Sequence, residues 1–143
     1  MMPLTVDASP ELLDTVIGYV DDAVSEVCSE PGTLMQLELV VEEVFINVAS
    51  YAYGDDRGSV TVTVNAARDS AGKTVTIIFA DSGVAFDPTA KQDADISPDG
   101  LMSRVGGLGI HLVRKIMDSV SYRREDGMNV LTMKKTLNSG IPA

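Results

Sequence analysis

Apolar residues change their period at Ser59, and few folds accommodate that switch. Upstream, the spacing is helical. Ser9-Pro10-Glu11 has the form of an N-cap, a first-turn proline and an acidic residue matched to the helix dipole. Leu13, Val16, Ile17, Val20, Val24 and Val27 then follow at turns of a helix. Glu30-Pro31-Gly32 interrupts it. Thr33-Leu-Met-Gln36 reads as a capping box that opens a second helix, with Leu34, Leu37, Val41, Val44 and Val48 as its buried face and Gly54 as its stop.

Downstream, Val60, Val62, Val64 and Ala66 alternate with Thr61, Thr63 and Asn65, the pattern of a strand with one wet face and hence of an antiparallel sheet. Asp69-Ser-Ala-Gly72 turns the chain into an apolar run from Thr74 to Ala80, which predicts a more fully buried strand. From Asp81 to Gly106 no period survives, and a loop of that length in a compact domain is more often a lid than a connection. Leu108, Leu112, Val113, Ile116 and Met117 mark a third helix. Val120 to Arg124 and Asn129 to Lys135 form a hairpin about Asp126-Gly127. The order helix, helix, strand, strand, loop, helix, strand, strand predicts an α+β fold. It is a two-layer α/β sandwich with a mostly antiparallel sheet and helices on one face, in a single domain over residues 1–143 with a lid loop at about 82–105.

Composition narrows the function classes. Lys+Arg number 11 and Asp+Glu 21, a net charge of −10 that opposes binding to a phosphate backbone or an anionic membrane, so neither nucleic acid nor membrane is expected as a partner. Cys28 is the single cysteine and His111 the single histidine, which excludes an internal disulfide and a Cys/His zinc site. A reducing cytosol fits best. Neither a leader peptide nor a spanning segment is expected from the sequence.

Three short constellations carry chemistry. Glu43 and Asn47 stand four apart on the second helix, one above the other, with Leu39 one turn earlier. Asn is a poor residue in a helix interior. Alone, the pair is an ordinary solvated helix side. Its functional reading is a carboxylate base one turn from an amide oxygen able to coordinate Mg²⁺. Asp81-Ser82-Gly83 closes an apolar strand: a carboxylate there can accept from an exocyclic amine, although Asp and Gly are also common turn residues. Gly106-Gly107-Leu108-Gly109 opens the third helix. Its free N–H groups make an anion site that plain loop flexibility explains poorly, because each glycine costs a helix about 1 kcal/mol. The spacing is not Gly-x-Gly-x-x-Gly, and Gly72-Lys73-Thr74 lacks the upstream glycine and following helix of a P-loop. Arg104 could meet a phosphate, His111 receives no role, and Met102, Met117, Met128 and Met133 read as core or lid packing.

In order, Glu43-Val-Phe-Ile-Asn47, Ala80-Asp81-Ser-Gly83-Val-Ala-Phe86-Asp87-Pro88 and Gly106-Gly-Leu-Gly109-Ile-His-Leu-Val113 resemble the N, G1 and G2 boxes of the histidine-kinase-like (Bergerat, GHKL) ATPases. The short, single-domain form is similar to the anti-sigma factor serine/threonine kinases, over roughly Leu34 to Leu137. The resemblance implies ATP and Mg²⁺ between helices and sheet. By position, Asn47 would hold Mg²⁺ and phosphate oxygens, Glu43 would activate a serine hydroxyl and Asp81 would read the adenine amine. Gly83 would line the adenine pocket, and Gly106, Gly107, Leu108 and Gly109 would cradle phosphates. It further implies a homodimer and two protein partners, an anti-sigma-factor antagonist that accepts phosphate on serine and a sigma factor that is sequestered.

Three positions depart from the family pattern. Tyr51-Ala52-Tyr53 closes the first box, where many relatives have a histidine before the small residue. Val105 falls where some relatives place a phosphate-facing arginine, with Arg104 one step away. Met128 follows the hairpin glycine where threonine is frequent. Two other functions fit the same motifs: a non-catalytic, nucleotide-gated binding module, and the catalytic fragment of a two-component histidine kinase. The second is weakened because no helix pair with a phosphoacceptor histidine precedes Leu34.

Overall fold

A computed structural model describes residues 2–53, 57–70, 72–90 and 107–137. Five strands form one sheet in the order β1-β2-β3-β5-β4: β1 Leu4–Asp7, β2 Ser59–Asp69, β3 Gly72–Asp81, β4 Ser119–Glu125 and β5 Met128–Leu137. Every neighbouring pair is antiparallel. Three helices, α1 Leu13–Val24, α2 Pro31–Tyr51 and α3 Gly107–Ile116, supply the second layer. The expected α+β sandwich is the fold observed.

The core lies where alternating strand residues meet the helices. Val60, Val62 and Val64 from β2 and Val75, Ile77 and Phe79 from β3 are buried against Val16, Val20 and Val24 of α1, Leu37, Val40, Val41, Val44 and Phe45 of α2, and Val113 of α3. Each such side chain contributes about 1.5–3 kcal/mol by leaving water. The other sheet face carries many threonines, and there the hydroxyls of Thr5 and Thr61 bond across β1 and β2 at 2.9 Å.

Four local expectations change. Leu4–Asp7 is an edge strand that the sequence reading did not assign: four residues carry too little alternation to be recognised before β2 is present to pair with them. Helix α2 starts at Pro31 rather than at a Thr33 cap, because proline at the first helical position needs no N–H partner. The Thr33 hydroxyl instead donates backward to Glu30 Oε2 at 2.8 Å. Strand β3 alternates between buried and half-buried residues instead of being buried throughout. The expected loop begins with ordered structure, including a 3-10 turn at Pro88–Ala90. Its remainder, with Arg104 and Gly106, lies outside the described residues, as does Gly54. At the β4–β5 turn, Asp126 (φ 52°) and Gly127 (φ 76°) both take positive φ, as a tight two-residue hairpin requires. Among the described residues no helix is long and apolar enough to cross a membrane.

Candidate nucleotide site

One cleft opens between α2, α3 and the ends of β3 and β5. It encloses about 540 Å³ of empty space, counting its solvent-open mouth. Val44, Val48, Phe79, Ile110, Val113 and Leu131 make its walls apolar. The polar exceptions include Asn47, Asp81 and Asn129. Asp81 and Asn129 are, among the described residues, the two polar side chains classed as buried, at 5% and 6% exposure. An apolar slot with a few placed polar groups is the usual form of a site for a flat, heteroatom-bearing ligand.

Asp81 is the last residue of β3 and occupies the row beyond Val62, Phe79 and Leu131 on the same sheet face. Its Oδ1 accepts from Gly83 N–H at 2.9 Å and from Asn129 Nδ2 at 2.9 Å. Among the described residues, hydrogen bonds to this carboxylate fall on Oδ1, and Oδ2 remains for a ligand donor.

Gly83 is held by its surroundings. A Cβ there would lie 2.1 Å from the carbonyl oxygen of Ala52, so the loop passes the end of α2 at a distance that only glycine permits. The same oxygen accepts from Val84 N–H at 2.8 Å. The Tyr51-Ala52-Tyr53 segment therefore has a structural role. The Tyr51 ring meets Phe86 with centroids 6.2 Å apart, Ala52 supplies the carbonyl, and the Tyr53 hydroxyl donates to Ser59 O (2.5 Å) and accepts from Ser82 N–H (2.9 Å). Further along, Asp87 Oδ1 accepts from Thr89 N–H at 2.8 Å, and Arg114 of α3 donates to Thr89 O.

Asn47 lines the cleft from α2. Glu43 stands one turn earlier, half-buried and not among the lining residues. Burial, reinforced by the neighbouring Glu42 charge, raises its carboxyl above the ordinary glutamate value. That shift suits a group meant to accept a proton. Gly107, Leu108 and Gly109 form the first turn of α3, whose next residues include Ile110 and Val113 of the cleft lining. Gly83 supports Asp81 from outside the lining.

Sequence reasoning missed three residues of the hairpin: Asn129, which bonds Asp81, and Tyr122 and Arg124, which bond Asn129. Asn129 left one signal, a polar residue in a strand of Val130, Leu131 and Met133, two positions after the hairpin glycine. Among the described residues no group of three or more His, Cys, Asp or Glu could hold a metal ion. A cation here would need ligand oxygens from a phosphate, which Asn47 could supplement with its neutral amide oxygen; that donor set suits Mg²⁺, which retains waters and accepts one or two protein oxygens.

Known proteins resemble this chain in sequence and in fold. The family model described as a histidine kinase-like ATPase domain matches residues 6–135. The serine-protein kinase RsbW of Bacillus velezensis is 30% identical over 144 residues, covering 94% of this chain and 84% of that protein. RsbW of Listeria monocytogenes is 29% identical over 121 residues, with 78% and 74% covered. The serine/threonine-protein kinase BtrW of Bordetella bronchiseptica is 31% identical over 98 residues, with 68% and 66% covered. The blue-light activated histidine kinase EL346 of Erythrobacter litoralis shares the fold at a TM-score of 0.52 and 17% identity, over 90% of this chain and 42% of that one. The match spans nearly all of both layers and every element that lines the cleft, and the chain belongs to the histidine kinase-like ATPase domain family.

Proposed function

We propose that this chain is a cytoplasmic, ATP-dependent protein serine/threonine kinase of the partner-switching type. It would phosphorylate a serine on an anti-sigma-factor antagonist and sequester a sigma factor while that antagonist is phosphorylated. The observation that carries the reading is the buried Asp81 carboxylate at the polar end of an apolar cleft shared with Asn47. Its similarity to RsbW and BtrW, named as serine and serine/threonine kinases, supports the choice of acceptor.

Each residue has a distinct task. Asp81 accepts a hydrogen bond from the adenine amine, whereas guanine would oppose it with a carbonyl oxygen. Phe79, Val44 and Leu131 exclude water from the ring faces. Asn47 would offer its amide oxygen to the cation, and the N–H groups of Gly107, Leu108 and Gly109 would meet phosphate oxygens, a task that the family resemblance also gives to Gly106 and that the sequence suggests for Arg104. When bound, Mg-ATP supplies the transferable phosphoryl group with its charge partly neutralised. Glu43 takes the proton from the attacking hydroxyl, and its raised affinity for protons favours that role.

Glu43 lies outside the cleft lining, and that favours a second reading, a nucleotide-gated binding module in which no transfer occurs. Radiolabel transfer from γ-labelled ATP to candidate antagonists, with calorimetry of Mg-ATP binding in parallel, separates the two. Transfer supports the kinase. Nucleotide binding with sigma-factor capture and no labelling of any antagonist supports the module.

A further inference from the structure

Asn129 belongs to none of the motifs read from the sequence, yet the base-reading end of the cleft is organised around it. Strand register sets it between Asp81 on β3 and Arg124 on β4. Its Nδ2 donates to Asp81 Oδ1 at 2.9 Å and to Val84 O at 2.8 Å. Its Oδ1 accepts from Phe86 N–H at 3.2 Å, from Arg124 Nη1 at 3.1 Å and from the Tyr122 hydroxyl at 2.5 Å. Arg124 Nη1 also donates to Gly83 O at 2.8 Å. Both amide donors are used and the oxygen receives three bonds, so the orientation of the amide is fixed. Turned over, it would set its oxygen against Asp81 Oδ1 and Val84 O and its N–H groups against the N–H donors of Phe86 and Arg124.

We propose that Asn129 is a specificity-determining positioning residue: held by Arg124 and Tyr122, it shares occupation of Asp81 Oδ1 with Gly83 N–H, thereby favours Oδ2 for the base, and clamps the loop root from Gly83 to Phe86 to the same point. The base-specificity half rests on the reading of the cleft as an adenine-nucleotide site; the clamp does not. In consequence, the β4–β5 hairpin, distant in sequence from the strand-end carboxylate, controls both base discrimination and the start of the loop. A substitution in the hairpin changes the two together.

The test uses the full chain and two variants, Asn129→Leu, close in shape but without polar atoms, and Arg124→Met, at an exposed position where folding is not at risk. Amide hydrogen exchange without nucleotide is measured at Gly83 and Phe86 against the interior amides of Val62 and Ile77. The ratio of ATP to GTP affinity is measured by calorimetry. Expected for Asn129→Leu is exchange at Phe86 faster by about tenfold or more with sheet amides unchanged, together with an ATP/GTP ratio reduced by about tenfold. Arg124→Met should move both in the same direction by a smaller factor. An Asn129→Leu protein with wild-type exchange at Phe86 and a wild-type ratio overturns the proposal. Should that variant not fold, unchanged values in both Arg124→Met and Tyr122→Phe overturn it. A wild type that binds no nucleotide defeats the adenine reading and the base-specificity half with it, while the exchange measurement alone decides the clamp.

Discussion

One substitution, glycine to alanine, should have opposite signs at two positions of this chain. At Gly83 the added Cβ would lie 2.1 Å from Ala52 O, 2.5 Å from its carbonyl carbon and 2.6 Å from its Cβ. All three atoms belong to the helix end rather than to a flexible side-chain tip, so the loop and α2 must separate. Separation stretches the 2.8 Å bond from Val84 N–H to the same oxygen and pulls Gly83 N–H from Asp81 Oδ1. Overpacking of this kind costs about 1–3 kcal/mol, and a weakened buried hydrogen bond adds about 1 kcal/mol, giving a loss of about 3 kcal/mol. For a chain of this length that lowers Tm by about 10 °C. At Gly18, on the exposed side of α1, nothing stands within 4 Å of the new methyl, and alanine should stabilise the helix by about 0.5–1 kcal/mol. Urea and thermal unfolding of the two single variants decide the matter. A Gly83→Ala protein within about 0.5 kcal/mol of wild type would refute the argument that the loop root is seated on Ala52.

Other perturbations test the chemistry. Glu43→Gln should lower phosphoryl transfer by about 10²–10⁴ with Mg-ATP affinity nearly unchanged, and transfer that survives intact removes the base assignment. Glu42→Gln removes the charge that helps raise the Glu43 carboxyl. The acid limb of the transfer rate should therefore move to lower pH, and an unmoved limb would show that another group titrates there. Asp81→Asn should weaken ATP by about tenfold or more in calorimetry and narrow its advantage over GTP; equal ATP affinity in both proteins would refute the adenine contact. Asp21 is pushed up from 3.8 to about 6 by burial, then by its hydrogen bond to and the charge of Glu38, with Asp22 adding. The folded chain holds this proton more tightly than the unfolded one, so its contribution is most favourable below 3.8 and is lost as pH climbs through about 6. Asp21→Asn should thus stabilise the chain near neutral pH by about 1 kcal/mol after allowance for solvent screening, and an unchanged urea midpoint there would refute this.

What was legible in the sequence was local or periodic. Val60, Val62 and Val64 announce their strand because each alternate residue is buried, and Asp126-Gly127 announces its turn because both residues must take positive φ. Asn47 and Asp81 both line the cleft; a shared site between helices and sheet was what the family resemblance implied, not what either motif stated by itself. Illegible parts depended on pairing between distant strands. The hairpin turn fixes Arg124 opposite Asn129, but only the register of β3 against β5 sets Asn129 opposite Asp81, and nothing within either strand states that register. Edge strand β1 was lost for a related reason: Leu4 and Val6 become half-buried only through pairing with Val62 and Val60. Thr33 misled because its spacing to Gln36 imitates a capping box, whereas Pro31 already starts the helix.

The cleft itself follows from where the apolar ladder stops. Across the sheet, Val62, Phe79 and Leu131 form one row facing the helices, and the next row on that face is Val60, Asp81 and Asn129. Leucine in place of the last two would continue the core to the end of the sandwich and close the gap between α2 and α3. The carboxylate and the amide here are buried, at 5% and 6% exposure, so hydrogen bonds must replace the water they have lost. Each polar group is then satisfied sideways along the sheet and loop root rather than upward from the helices. That arrangement leaves apolar walls above a polar end with a carboxylate oxygen to spare. Two residues that interrupt an otherwise apolar alternation thus set hydrogen-bonding groups at the end of an apolar cleft, and the proposed reading of adenine rests on the first of them.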